Sequence, residues 1–81
     1  MNSDENSKLL LAFGQVVRER RIELGFSQEE FAHRAGLHRT YISGIERGLR
    51  NVALVNLFHI AEALALTPQE FVDRISAIKN P

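Results

Sequence analysis

Apolar residues recur along this chain with a helical period. Leu10, Phe13, Val17 and Leu24, with Leu9 and Val16 beside them, make a stripe on one face of a segment from Lys8 to Leu24. Leu54, Leu57, Phe58, Ala61 and Leu64 repeat that spacing further along. Between them lie two shorter blocks in which Phe31, Ala35, Leu37, Ile42 and Ile45 fall on an inward stripe. Their register leaves Arg39, Thr40, Tyr41, Ser43, Gly44 and Arg47 largely outward. Nowhere does the pattern alternate as a half-buried strand requires, and no segment repeats. The pattern predicts an all-α fold, a compact five-helix bundle.

Helix signals sharpen these boundaries. Gly25 ends the first helix, with Phe26 tucked beneath the turn, and Ser27 with Glu30 forms a capping box that starts a second helix at Gln28. Gly36 ends that helix, since the residue past a helix C-terminus often needs positive φ. A third helix is predicted from about His38 to Arg47, stopped by Gly48, with Leu49 to Val52 as a loop. Thr67 with Glu70, and Pro68 in the first helical position, open a fifth helix that runs through about Ile78. Met1 to Ser7 is polar and aperiodic and is expected to be a disordered segment, leaving 8–79 as one domain. Ala32 is small enough for the third helix to cross close to the second. Two short helices joined by a tight turn form a helix-turn-helix, a motif usually built to read DNA.

Composition narrows the function. A chain of 81 residues has room for one domain with a marginal core, so a partner subunit would help. The absence of cysteine excludes disulfides and thiolate zinc sites, and a reducing cytoplasm is the simplest compartment. No apolar run approaches the ~20 residues of a membrane span, and Met1 to Lys8 is too polar and too short for a secretory signal. A soluble protein with no membrane partner is expected. The formal net charge is zero, but it is segregated. Residues 34–50 carry four arginines against Glu46, a balance of +3, while 1–33 sum to −2 and 51–81 to −1. Positive charge on the third helix suits a polyanion, because cations binding phosphate release counterions.

Arg39, Thr40, Tyr41 and Ser43 are the candidate base contacts, since the N-terminal part of the second motif helix points into the major groove. Arginine can bind guanine through two parallel hydrogen bonds, discriminating by ~1–3 kcal/mol, and Thr40 can offer a methyl to thymine or a hydroxyl to phosphate. The Tyr41 phenol can bond a phosphate, its ring can pack on a base edge, or it can cover the motif's own core. Gly44 lets either the backbone approach the groove or a helix pack closely. Gln28 is a candidate phosphate contact at a helix start, or simply a helix-start residue. Arg47 and Arg50, with Asn51 after them, suit phosphate clamping, though Asn51 also suits a loop-shaping role. His33 and His38 lie five apart with no acidic or cysteine partner at ligand spacing, and His59 with Glu62 is an ordinary helical pair. His38 is a helix cap or a phosphate neighbour. Ser27, Ser43 and the histidines form no nucleophile and base arrangement, so no enzyme, metal, cofactor or small-molecule ligand is implied.

The residues LGFSQEEFAHRAGL, the segment HRTYISGIERG, and the following RNVALVNL and AEAL resemble the Cro/C1-type (XRE-like) helix-turn-helix family over roughly residues 10 to 72. Within it, HRTYISGIERGLRN is most similar to the controller proteins of restriction-modification systems. The resemblance implies a lambda-repressor-like DNA-binding domain with Arg39, Thr40 and Tyr41 at the operator and Gln28, Arg47 and Asn51 near phosphates. It also implies an internal ion pair between Arg21 and Glu46. One departure is Ala53, where such proteins often carry a capping Ser or Thr, at a cost of ~1 kcal/mol. The implied function is a transcription regulator that binds a palindromic double-stranded DNA operator as a homodimer. Such a controller activates at low occupancy and represses when a second site fills, with RNA polymerase as a further partner. A phage or plasmid repressor is the alternative in the same class. A protein-interaction module retaining the fold is an alternative from another, against which the outward Arg39 and Tyr41 weigh.

Helices 4 and 5 carry Leu54, Val55, Leu57, Phe58, Ile60, Leu64, Leu66, Phe71, Val72, Ile75 and Ile78, more than a short bundle is expected to bury. Val55, Phe58, Val72 and Ile75 are the predicted dimer interface. A two-fold axis there would place two copies of helix 3 roughly 34 Å apart, one DNA turn. Otherwise the surplus thickens the core of a monomer.

Overall fold

Helix α1 begins well before its apolar stripe, and the reason lies in its first turn. In the computed structural model, which describes residues 3–81, α1 spans Ser3–Glu23, followed by α2 Gln28–Ala35, α3 Arg39–Glu46, α4 Leu54–Ala63 and α5 Pro68–Lys79. Residues 3–7, expected to be disordered, are helical; Met1 and Asn2 lie outside the described residues. Asp4 and Glu5 occupy the first turn, where negative charge favours the helix dipole. Lys79 Nζ at the end of α5 donates to Glu5 Oε2 at 2.9 Å, tying the start of α1 to the far end of the chain.

The remaining boundaries follow their local signals closely. Thr67 and Glu70 make both bonds of a capping box, Glu70 N–H to Thr67 Oγ1 at 3.1 Å and Thr67 N–H to Glu70 Oε1 at 2.9 Å. The box predicted at α2 is only half formed. Glu30 N–H bonds Ser27 Oγ at 3.0 Å, but the Glu30 carboxylate accepts from Arg34 Nε at 2.9 Å instead. Neither His38 before α3 nor Ala53 before α4 supplies a side-chain cap. Helix α4 ends without glycine, so Ala65 takes φ 55°, in the left-handed region that disfavours a Cβ.

The core is built where α1 lies against α3 and α5, α2 against α3 and α4, and α4 against α5. Phe13, Val16 and Val17 of α1 meet Phe31, Ile42, Ile45, Ile60, Leu64 and Phe71, all buried. Each such side chain contributes about 1.5–3 kcal/mol on burial. Phe13 and Phe71 set their rings 5.5 Å apart in a tilted pair. Ile75, predicted to face a partner, is only 7% exposed and belongs to this core. It therefore adds little exposed apolar surface. Val55, Phe58 and Val72 do remain exposed, together with Leu54.

Candidate nucleic-acid interface

The turn between α2 and α3 is fixed by Gly36, whose φ of 70° lets its N–H reach His33 O while Leu37 N–H reaches Ala32 O at 2.9 Å. A polar brace then sets the pair against α1. Arg21 Nε donates to Glu46 Oε2 at 2.7 Å and Nη2 to Glu46 Oε1 at 2.9 Å, a two-pronged pairing, while Nη1 donates to the Phe26 carbonyl at 2.8 Å. Both side chains are withdrawn from solvent, Arg21 at 12% and Glu46 at 4% exposed. The hydrogen bonds to Glu46 hold the guanidinium pKa above its ordinary value, opposed by partial burial and aided by the carboxylate's charge. Gln28 Nε2 joins the brace through Glu46 Oε1 at 3.2 Å.

With α3 so held, the 100° step between residues decides which side chains face out. Arg39, Ser43 and Arg47 stand one turn apart, with Thr40 beside them, and together they line one open depression of about 230 Å³ that no carboxylate enters. The first turn of α3 carries no acidic residue, so the positive end of its dipole is uncompensated. The two arginines, two hydroxyls and that dipole can donate to and neutralise an anion.

Other predicted residues stand elsewhere. Tyr41, expected outward, is half-buried, its ring packed on the core and covered by the Arg50 guanidinium 5.7 Å from the ring centroid. It lies on the flank of α3, with part of the ring turned to the core. Gly44, also expected outward, is buried beneath the same Arg50, whose Cγ and Nε would lie 3.0 Å from an added Cβ. Of the four arginines in the basic segment, Arg34 is engaged by Glu30 and lies over Phe26, away from this face. Gln28 directs its amide N–H into the brace rather than outward. Asn51 is exposed at the rim of an apolar crease between α1, α4 and α5, apart from the depression. Among the described residues no group of His, Asp and Glu could hold a metal ion.

Sequence reading missed Gly14. A Cβ there would collide with the Ile45 carbonyl oxygen and lie 2.9 Å from that of Glu46. This glycine lets α1 touch the backbone of α3 and so sets the height of the braced helix. Its signal was available, as a glycine inside a helix costs about 1 kcal/mol relative to alanine and close packing offsets that cost.

A helix-turn-helix braced from behind, showing one cationic face free of carboxylates, defines a DNA-binding domain. Residues 17–71 match the helix-turn-helix family, and the chain belongs to it as a Cro/C1-type member. Control protein C.BamHI of Bacillus amyloliquefaciens is 47% identical over 68 residues, covering 83% of this chain and 84% of that protein. The structure of the restriction-modification controller protein C.AhdI from Aeromonas hydrophila is 50% identical with a TM-score of 0.74, covering 76% of this chain and 94% of that one. The controller protein C.Esp1396I, solved as a tetramer in complex with its natural 35 base-pair operator, matches with a TM-score of 0.82 at 34% identity, over 90% of this chain and 96% of that one.

Proposed function

We propose that this chain is the controller of a restriction-modification system: a cytoplasmic transcription regulator that binds a palindromic operator as a homodimer and both activates and represses its own operon. The observation that carries this reading is the single open face on which Arg39, Thr40, Ser43 and Arg47 converge. Arg39, Thr40 and Ser43 read base edges, and Arg47, Arg50 and Asn51 meet phosphates. Tyr41 contributes its hydroxyl rather than its ring. Gln28 meets phosphate through its own backbone N–H at the start of α2. Exposed Leu54, Val55, Phe58 and Val72 support assembly into a dimer through α4 and α5. The names of the relatives support the controller role.

Footprinting on the DNA immediately upstream of the chain's own reading frame tests this. The expected result is protection of two half-sites about one helical turn apart, with a second pair filling at higher protein concentration. Uniform protection without half-sites would overturn it.

A further inference from the structure

We propose that Arg18, on the outer face of α1 and outside the helix-turn-helix, is a further contact to the DNA phosphate backbone. This rests on the DNA-binding reading above and extends its footprint. The other arginines of α1 are engaged within the chain. Arg20 donates to the Leu64 carbonyl at 2.9 Å and to Glu23, and Arg21 is spent on Glu46 and Phe26. Arg18 is exposed and forms no ion pair among the described residues. Helix geometry explains why. The positions one turn away hold Gly14, Gln15, Arg21 and Ile22, none of them a carboxylate. The adjacent Glu19 accepts from Gln15 Nε2 at 2.9 Å and makes no ion pair with Arg18.

Position gives this free cation its target. Arg18 lines, with Gln15, Glu19, Ile22 and Glu46, a groove of about 580 Å³ beside α3. Glu46 is the residue that joins α1, α3 and the first residue of α2 in the brace, so the groove adjoins the flank of the reading face. Its carboxylate is already matched by Arg21, which leaves the charge of Arg18 uncompensated by it. A duplex seated on α3 offers bases only within a major groove about 12 Å wide, and its backbones rise on either side of that helix. What meets the α1 flank is therefore phosphate, which the guanidinium fork can bind through two hydrogen bonds.

The test uses full-length wild type, Arg18→Ala, Arg18→Lys and Arg74→Ala, with fluorescence anisotropy over a salt series. Two labelled duplexes serve as probes, the DNA upstream of the chain's own reading frame and a random sequence. Arg74 is the control because it sits 3.9 Å from Glu23 on another part of the surface. Arg18→Ala, which removes one contact from each protomer of the dimer, should flatten the slope of log affinity against log salt by about 1.8 on both duplexes, leaving the preference between them unchanged. Between about 50 and 200 mM salt it should lose roughly 12-fold less affinity than wild type. Arg18→Lys should recover most of the slope, and Arg74→Ala should keep it. A wild-type slope in Arg18→Ala, or an equal flattening in Arg74→Ala, overturns the proposal while leaving DNA binding intact. A wild type that binds neither duplex overturns the functional reading as well.

Discussion

Gly14 and Gly44 are both buried inside helices, yet a methyl group meets different obstacles at the two positions. At Gly14 the obstacles are the carbonyl oxygens of Ile45 and Glu46, which belong to the backbone of α3 and cannot turn away. Gly14→Ala is expected to push α1 off α3 and cost roughly 1–3 kcal/mol. At Gly44 the nearest atoms belong to the Arg50 side chain, at 3.0 Å, and a flexible chain can swing aside. Gly44→Ala should therefore cost clearly less, and thermal melting of the two variants side by side checks this; equal losses would contradict it. Glu46 makes a different demand. Removing it leaves the Arg21 charge withdrawn from water without a counter-charge, so Glu46→Ala should lower stability by about 3–5 kcal/mol. Glu62→Ala, an exposed position on α4, should hardly shift a denaturant midpoint. Coincident curves for the two would show that the brace does not hold the fold.

Among the helices, α5 gives the clearest pH dependence. The backbone and side-chain hydrogen bonds with Thr67 hold the Glu70 pKa below its ordinary 4.5. A folded-state pKa below the unfolded one means that this stabilisation is present above about pH 4.5 and is lost as pH falls through the folded value. Glutamine can make the same capping bonds without titrating, so the melting temperature of Glu70→Gln should fall less than that of wild type below pH 4.5. Parallel acid profiles would refute the assignment. Helices α2, α3 and α5 were legible in the sequence because their ends carry local signals: Gly36 and Gly48 at positive φ, Ser27, Thr67, Pro68 and Glu70, whereas α4, without a cap or a closing glycine, was legible only from its apolar period. The start of α1 was not, because its tie is Lys79 to Glu5, 74 residues apart. The same limit applies to the candidate site. Periodicity separated Arg39, Thr40, Ser43 and Arg47 from the core, but Tyr41 and Gly44 are covered by Arg50, which lies beyond α3. Gln28 was readable as a helix start, whereas the competing partner Glu46 comes from another helix.

For the whole molecule, the apolar surplus on α4 and α5 is smaller than the sequence suggested, since Ile60, Leu64, Leu66, Phe71 and Ile75 are consumed by the core. What remains exposed is a patch of Leu54, Val55 and Phe58, with Val72 on α5. A charge there should separate subunits without unfolding them, so Val55→Asp is expected to sediment as a monomer at concentrations where wild type is dimeric. Its operator affinity should drop more than its affinity for random DNA, because only the dimer engages both half-sites. A monomeric wild type that still binds a palindrome without cooperativity would remove the dimer from this account. The most direct measurement of the central claim, that the face of α3 reads sequence, is a competition titration. Wild type, Arg39→Ala and Arg47→Ala would bind the upstream duplex against random-sequence competitor at several salt concentrations. Arg39→Ala should lose its preference for the upstream duplex and keep much of its affinity for random DNA, whereas Arg47→Ala should weaken on both nearly alike with a salt slope lower by about one charge per protomer. Undiminished preference in Arg39→Ala, or equal loss of preference in both variants, would contradict it.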